Sequence, residues 1–349
     1  MPFDAFSDYY DGNVRFSDAF VTSALNATGR FTFQVSPIVS QSSGYEGSSK
    51  GAAGGLMMYT IQVLREADKD KKSGDVGNHV DEAVAFYTGF YAASTKGVNS
   101  GGAQFGLAEK RGADFGTQVS GSPFYKSLVN TKVFDLFNQL NAVHRDKSRT
   151  NFELHVAITN ALISQMFVPY LQAVIKYAYW VSVSNSEEQR AELEAFCYYF
   201  VPYLAFYDSD AGAKLQANCD MQAEPMLVNT FAEIKSTIEK AYPAMGYTCA
   251  QIGGQLNPFG NYYAGTEPCV DSSTAGASPS SSSSSDSNNK GPDGAAAAAI
   301  ALAVFIVACA IGGVVYYFIS ISSRSANGRE GIKHEQLGEE VRSEMAAAV

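Results

Sequence analysis

The sequence predicts an all-α head domain followed by one C-terminal transmembrane helix. Three observations support this fold class. Six segments of the head carry apolar residues at helical spacing, alternation of period two is nearly absent, and residues 295–321 form an uncharged run of 27 residues. The 349-residue chain is 46% hydrophobic and 12% aromatic, which is enough apolar material to build a core.

The six predicted helices follow from apolar stripes bounded by loop signals. In the first of them, Met57, Ile61 and Leu64 share one face. Asn185-Ser186 forms a good N-cap before the fifth, and the acids after it suit the helix dipole. Glycine-rich stretches at 44–55 and 97–106 predict loops, and only residues 31–35 alternate like a strand. The helices are predicted at Leu56–Lys72, His79–Ala93, Leu128–Val143, Phe152–Val183, Glu187–Tyr207 and Pro225–Ala241.

Two short internal repeats indicate a duplicated helical unit. The string FVPYL occurs at 167–171 and again at 200–204, and the Glu-to-aromatic run at 82–87 has a counterpart at 192–197. Proline inside a helix removes a backbone hydrogen bond and kinks the rod. Two bent helices that enclose a ligand would show this pattern. A kinked hairpin that simply packs well would show it too, and we favour that interpretation.

The segments after residue 270 predict a membrane anchor. Residues 271–294 are rich in Ser, Gly, Pro and Asn, a composition typical of a flexible stalk. The apolar run at 295–321 is long enough to span a bilayer. Arg324, Arg329 and Lys333 follow it closely, so residues 322–349 are predicted to be a cytoplasmic tail. This makes the chain a type I plasma-membrane protein with residues 1–270 outside the cell.

An exported head agrees with the cysteine pattern. Cys309 lies in the predicted span, which leaves an even set for two disulfides, with three pairings open. That set is Cys197, Cys219, Cys249 and Cys269. No CxxC or Cys/His zinc spacing occurs, and Asn26-Ala27-Thr28 is a glycosylation sequon. The first 16 residues do not read as a signal peptide, so we expect a truncated or upstream start.

Composition and motifs exclude two broad classes of function. The 25 basic residues against 35 acidic ones, a net charge of −10, argue against a nucleic-acid partner. The sequence has no GxSxG, HExxH or phosphate-loop motif, so we do not expect an enzyme. His79 and Glu82 lie three residues apart on one helical face and could supply half a metal site. The alternative for this pair is an exposed helix-start cap.

The aromatic content points to a particular metal chemistry. The chain has 20 tyrosines, many of them within predicted helices and close to Glu or Asp. Phenolate and carboxylate oxygens are hard ligands that suit ferric iron better than zinc or copper. For any single tyrosine, a core position with a satisfied hydroxyl is the more common role.

Three motifs resemble those of the algal iron-assimilation proteins, called phytotransferrins in diatoms. They are Glu82–Gly89, Leu107–Phe115 and Ala191–Leu204, which stand in the family's motif order across residues 55–225. Cys197 stands where that family would have a tyrosine, and Gly112 and Gln118 stand where it would have cysteines. The pattern at 77–82 is also similar, more weakly, to the GxHxxE of imelysin-like proteins.

The resemblance implies capture of ferric iron outside the cell, with carbonate as a synergistic anion. Uptake would follow by internalisation, through endocytic or uptake machinery that engages the cytoplasmic tail. The candidate metal donors are His79, Glu82, Tyr87, Glu109, Glu192 and Glu194. Lys110 and Arg111 are the candidate anion partners, because a guanidinium fork matches carbonate.

Other interpretations stay open at this point. Glu109-Lys110-Arg111 could equally be a solvated helix end. A cell-surface structural or adhesion glycoprotein is the main alternative function, and an apolar surface patch without a buried acid–tyrosine cluster would favour it. An imelysin-like metal-binding protein or peptidase would require His79 and Glu82 to point into a cleft.

Overall fold

The computed structural model describes residues 3–31, 37–75, 77–89, 103–120, 126–146 and 149–271. Within these ranges all regular structure is helical apart from two isolated β-bridges, Gln118 with Ser127 and Leu256 with Tyr262. The all-α prediction for the head is therefore confirmed. The predicted stalk, transmembrane helix and tail lie outside the described residues, as do positions 32–35 of the strand-like stretch.

Twelve α-helices are described in these ranges, with short 3₁₀ turns at Gly29–Phe31 and Arg149–Asn151. Their bounds are α1 Phe3–Tyr9, α2 Phe16–Leu25, α3 Pro37–Ser73, α4 His79–Thr88, α5 Gln104–Asp114, α6 Leu128–Arg145, α7 Phe152–Val183, α8 Glu187–Tyr207, α9 Ser209–Gln216, α10 Phe231–Lys240, α11 Tyr242–Met245 and α12 Cys249–Ile252. Residues 1–278 cluster into one unit, which contains all of them.

Helices α7 and α8 form the central hairpin, and their predicted bounds are confirmed. The Ser186 hydroxyl accepts a hydrogen bond from the Gln189 backbone N–H, so the expected N-cap starts α8. Phe167 and Tyr203, one from each FVPYL string, stack with ring centroids 3.9 Å apart. Both prolines of these strings lie inside the helices and are buried. The two repeated strings thus pack against each other in the core.

Among the described residues one helix, α7, has the length and composition needed to cross a membrane. In the most apolar 18-residue stretch of α7, 78% is buried inside the protein, as is usual for a core helix.

The prediction of a loop at residues 44–55 is wrong, because helix α3 runs through these residues. Its glycines form a groove that receives aromatic rings. A Cβ added at Gly47 would lie 2.3 Å from the Phe31 ring, and one at Gly54 would lie 2.2 Å from the Tyr199 ring. The Tyr199 hydroxyl also donates to the Gly51 carbonyl at 2.7 Å. Tertiary packing therefore overrides the low helix propensity of glycine here.

Three further predictions of local structure need correction. The loop predicted at 97–106 is wrong at residues 104–106, where α5 begins, and its positions 97–102 lie outside the described residues. The helix predicted from Pro225 begins at Phe231, because Thr230 and Glu233 form a capping box that fixes its start. The helix predicted over His79–Ala93 ends at Thr88, where Gly89 at positive φ follows it, and positions 90–93 lie outside the described residues. Helices α1, α2, α5, α9, α11 and α12 were not predicted.

Two disulfides are present in the head, and they select one of the three pairings. Cys197 bonds to Cys219, and Cys249 bonds to Cys269. The first joins α8 to the segment after α9 and is buried. The second closes a 20-residue loop at the C-terminal end of the described chain.

Candidate functional site

The sequence-predicted donors Tyr87 and Glu109 meet in one buried network with Asn130. The Tyr87 hydroxyl donates to Asn130 Oδ1 at 2.6 Å, and Asn130 Nδ2 donates to Glu109 Oε1 at 2.7 Å. The Glu109 carboxylate also accepts from the backbone N–H groups of Lys126 and Ser127 at 3.0–3.1 Å. Burial and the charge of Glu109 raise the pKa of Tyr87 above its usual value.

This network has a structural role at the start of α6. Ser127 is the N-cap of that helix, and its hydroxyl accepts from the Asn130 N–H. The Glu109 carboxylate lies beside the same helix N-terminus, where the exposed N–H groups and the helix dipole favour a negative charge. Glu109 is therefore a buried anchor that ties α5 to α6, rather than part of a solvated helix end.

A second cluster forms around Arg111, which is only 1% exposed. Its guanidinium carbon lies 5.4 Å from the centroid of the Tyr177 ring and 5.9 Å from that of Phe196. Nη2 donates to the Tyr177 hydroxyl at 3.4 Å, and that hydroxyl donates to Glu192 Oε1 at 2.7 Å. The Arg111 Nε finds no hydrogen-bond partner within the described part of the chain. A cation, a phenol and a carboxylate from three helices thus meet in one place.

Charged side chains of alternating sign surround this cluster, which we call the Arg111–Tyr177–Glu192 site. On one side, Lys50 lies 3.5 Å from Glu192 and 2.8 Å from Glu46. On the other, Asp114 accepts from Arg111 at 2.6 Å and from Lys176 at 2.8 Å. The three acids and three bases balance, so the site is close to neutral when every group is ionised.

Burial shifts the proton affinities of the site. It raises the pKa of Tyr177, an effect that Arg111 opposes and Glu192 reinforces. It also raises the pKa of Glu192, against the Tyr177 hydrogen bond and the Lys50 charge. Burial would lower the pKa of Lys50, but Glu46 and Glu192 raise it, so the ammonium form is favoured. The site therefore combines the protonated phenol of Tyr177 with two cations, Lys50 and Arg111.

The remaining predicted residues lie apart from this site. Glu194 is buried and accepts from the Met221 N–H at 2.9 Å. His79 is the first residue of α4 and pairs with Asp70, Nδ1 to Oδ2 at 2.6 Å. Glu82 is half-buried one turn later, and Lys110 is exposed. Of the predicted set, the structure thus brings Glu192 to Arg111 and Tyr87 to Glu109.

The described residues include no group of three or more His, Cys, Asp or Glu side chains placed to hold a metal ion.

Tyr177 is the main functional candidate that the sequence patterns missed. One signal for it does exist in the sequence. Lys176 is the only charged residue of α7 after Glu153. A charge in so apolar a helix indicates a partner of opposite charge, and here that partner is Asp114, which lies next to Arg111 as well.

A further buried polar chain joins α3, α6 and α7, and no motif indicated it. His144 Nε2 lies 3.2 Å from the Gly77 carbonyl, and His144 Nδ1 lies 3.1 Å from His155 Nε2. His155 Nδ1 lies 2.9 Å from Asp68 Oδ1. Which ring nitrogen donates in each of these contacts depends on the tautomers of the two imidazoles.

Comparison with known protein families, with curated proteins and with solved structures finds no match to this chain.

Proposed function

We propose that this chain captures ferric iron at the cell surface, with carbonate as a partner anion, for high-affinity uptake by internalisation. One observation carries the proposal: a buried phenol, a carboxylate and a guanidinium meet in the Arg111–Tyr177–Glu192 site. The three motifs that resemble phytotransferrins support it, because two of them contribute Arg111 and Glu192 to this site.

The donors fit a hard trivalent cation. Ferric iron prefers anionic oxygen ligands, and the Tyr177 and Glu192 oxygens lie only 2.7 Å apart. Iron binding would displace the proton that they share, so the phenol would become a phenolate. The raised pKa of Tyr177 keeps that proton in place until a metal competes for it.

Arg111 supplies what a carbonate needs. Its guanidinium is buried, permanently charged and held by Asp114 and the Tyr177 ring, while its Nε has no partner among the described residues. An oxyanion that accepted from this edge of the fork would satisfy an orphaned buried donor and complete the iron ligands. Lys50 and Lys176 add positive charge on either side.

Protons should compete with iron at this site. Burial raises the pKa of Glu192, so this carboxylate becomes protonated at a higher pH than an exposed glutamate. Carbonate, too, takes up protons as the pH is lowered. We therefore expect iron affinity to fall as the pH is lowered.

The decisive experiment is a ferric titration of the purified protein with and without bicarbonate. A tyrosinate charge-transfer band should appear on iron binding and should be lost in Tyr177→Phe. Tyr170→Phe is the matched control, because Tyr170 is another buried tyrosine of α7 that bonds to Gln104. Glu192→Gln should weaken iron binding, and Arg111→Lys should mainly weaken the dependence on bicarbonate.

The same titration separates the two groups of candidate donors. A band that survives Tyr177→Phe but disappears in Tyr87→Phe, with weaker binding in Glu82→Gln or Glu109→Gln, would move the site to those residues. Unaltered binding in all of these variants would contradict the proposal.

We propose in addition that the head is held outside the cell by the span at 295–321. Protease added to intact cells should cut between residues 272 and 294 and leave a membrane stub with the tail. A C-terminal tag accessible from outside would contradict this orientation.

An adhesion glycoprotein is the alternative function. The exposed sequon at Asn26 and the exposed ring of Phe259 favour it. If the protein binds no iron, either with or without bicarbonate, the adhesion function remains as the alternative.

A further inference from the structure

A cleft between α9 and α10 encloses a cavity of about 390 Å³. Helix α9 and the turn after it contribute Lys214 and Asn218 to one wall. The opposite wall is a face of α10 whose polar residues are Asn229, Glu233, Ser236, Thr237 and Lys240. Cavities of this size commonly bind small molecules. Its lining shares no described residue with the Arg111–Tyr177–Glu192 site.

The cleft carries positive charge that the described residues do not neutralise. Lys214 and Lys240 are both exposed, and neither ammonium group forms an ion pair within the described part of the chain. Glu233 is the one acid of the lining, so the balance of formal charge is positive. The chain as a whole has a net charge of −10. A positive cleft on an acidic protein attracts anions locally.

The carboxylate of Glu233 is committed to the start of α10. Its Oε2 accepts from the backbone N–H and from the hydroxyl of Thr230, both at 2.8 Å. These hydrogen bonds lower the pKa of Glu233, so it stays ionised at neutral pH. Lys240 lies seven residues further along the helix, about 10 Å away. An anion is therefore favoured at the lysine end of the cleft and opposed at the Glu233 end.

Neutral hydrogen-bonding groups stand beside the lysines. Ser236 and Thr237 are half-buried in the α10 wall, one turn before Lys240. A hydroxyl group can donate to an oxyanion and can also exchange hydrogen bonds with the hydroxyl groups of a ligand. The lining thus suits a molecule with one anionic group and a polar body.

The cleft is held open by buried contacts at its base. The side chain of Asn218, which is 1% exposed, donates to the Lys214 carbonyl at 2.7 Å and to Asn229 Oδ1 at 3.0 Å. It also accepts from the Asn229 N–H at 2.9 Å. The next residue, Cys219, is bonded to Cys197 of α8. A site that is already formed loses little conformational freedom when a ligand binds.

We propose that this cleft binds a small phosphorylated polyol, with Lys214 and Lys240 on the phosphate and Ser236 and Thr237 on its hydroxyl groups. A phosphate ester carries a charge of about −1.5 to −2 at neutral pH, which matches two ammonium groups better than a carboxylate does. The described lining includes no aromatic ring on which a nucleobase could stack, so a sugar-like body is favoured over a nucleotide. The proposal does not depend on iron binding.

A purely structural role for the two lysines makes a different prediction. Lys214 and Lys240 both lie in the last turn of their helices, where a cation also interacts favourably with the helix dipole. That role requires a positive charge and no ligand. Binding therefore has to be measured separately from stability.

The test is equilibrium dialysis of the full chain, in a nonionic detergent without phosphate, against radiolabelled inorganic phosphate at constant ionic strength. We expect saturable binding of one phosphate per chain. Unlabelled glucose 6-phosphate should displace the label at lower concentration than unlabelled phosphate does, and glucose should not displace it. In the double variant Lys214→Gln with Lys240→Gln, the affinity should fall at least about tenfold through the loss of two charge-assisted hydrogen bonds.

The same helix supplies matched controls. Lys235 pairs with Glu239 at 2.5 Å and does not line the cleft, so Lys235→Gln removes the same charge and should leave the affinity unchanged. Glu233→Gln should raise the affinity, because it removes a negative charge from the lining and glutamine can keep the capping box. Glu239→Gln, which changes the net charge equally, should not raise it. Arginine at both 214 and 240 should retain binding.

Three results would overturn the proposal. The first is equal affinity in the wild type and the double glutamine variant. The second is an equal loss in Lys235→Gln, which would assign the binding to the charge of the whole chain. The third is failure of glucose 6-phosphate to displace the label. If the double variant does not fold, as judged by circular dichroism, Glu233→Gln against Glu239→Gln decides, and equal affinities in that pair would contradict the site.

Discussion

Replacing Glu109 measures how much of the head's stability depends on one buried carboxylate. In Glu109→Gln the amide can accept through one atom only, and its NH₂ group would face the N–H groups at the start of α6. We expect a loss of about 2–3 kcal/mol of unfolding free energy, typical of hydrogen bonds to a buried charge. Chemical denaturation followed by circular dichroism measures it.

The neighbouring residue supplies the control. Lys110 is exposed, so Lys110→Gln should change the stability by less than about 0.5 kcal/mol. Equal effects of the two substitutions would show that the carboxylate does not anchor α6 in solution.

His144 should make the stability of the head depend on pH. Burial lowers the pKa of His144, with the nearby charges of His155 and Lys71 acting in the same direction and Asp70 against them. The unfolded chain therefore takes up this proton at a higher pH than the folded one, so acidification favours unfolding. His144→Gln can keep both hydrogen bonds and cannot be charged. We expect wild-type stability to fall relative to this variant between about pH 7 and pH 5.

Thermal unfolding of both proteins across that range checks the prediction. A constant difference between wild type and His144→Gln would mean that His144 takes up no proton over this interval.

The candidate site shows which residue roles a sequence can reveal. Arg111 and Glu192 were predicted because they lie in short motifs that resemble those of another family. Tyr177 was not, since its contacts depend on α5, α7 and α8 meeting at one place, and contacts between distant helices leave no spacing signal. Glu109 belongs to the same motif as Arg111. Residues two apart on a helix point to different sides, so the Glu109 side chain contacts α6 instead of the Arg111–Tyr177–Glu192 site.

At the scale of the element, the glycine groove of α3 makes a sharp prediction. A Cβ at Gly54 would lie 2.2 Å from the Tyr199 ring, so Gly54→Ala must displace a buried side chain. We expect it to destabilise the head by about 1–3 kcal/mol. At Gly55 the nearest atom would be Ser17 Cβ at 3.4 Å, an ordinary contact. Gly55→Ala should therefore stabilise the head by up to about 1 kcal/mol, through helix propensity.

Melting curves of the two adjacent variants test the groove directly. Opposite signs are expected, and stabilisation by both would contradict the packing of Tyr199 against α3.

Helix predictions succeeded where local signals sufficed. The Ser186 cap and the long apolar pattern define α7 and α8 without reference to the rest of the fold. The first half of α3 is different, because its glycines are unfavourable in a helix until Phe20, Phe31 and Tyr199 occupy the space they leave. Such a helix depends on its partners and cannot be inferred from its own residues.

At the scale of the whole molecule, the two disulfides should contribute strongly to stability. They span 22 and 20 residues, and closing loops of that size removes about 3 kcal/mol each of unfolded-chain entropy. The Cys197–Cys219 bond is buried, whereas Cys269 is partly exposed. Under mild reductant without denaturant, we expect Cys249 and Cys269 to react with a thiol label first.

Mass spectrometry of the labelled protein identifies the order. Free thiols at two or more of these four cysteines before reduction, or earlier labelling of Cys197, would contradict the described pairing and its burial.

The Cys249–Cys269 bond also determines where mechanical force would enter the head. Tension on the chain beyond Asp271 reaches Cys269 first and passes through the covalent bond to Cys249 in α12. From there it passes back along the chain to Tyr247, whose hydroxyl donates to the Ser164 carbonyl of α7 at 2.6 Å. Residues 250–268 between the two cysteines are bypassed by this load path. The turn that carries Phe259, in which the Asn257 side chain accepts from the N–H groups of Phe259 and Asn261, would therefore keep its shape under tension.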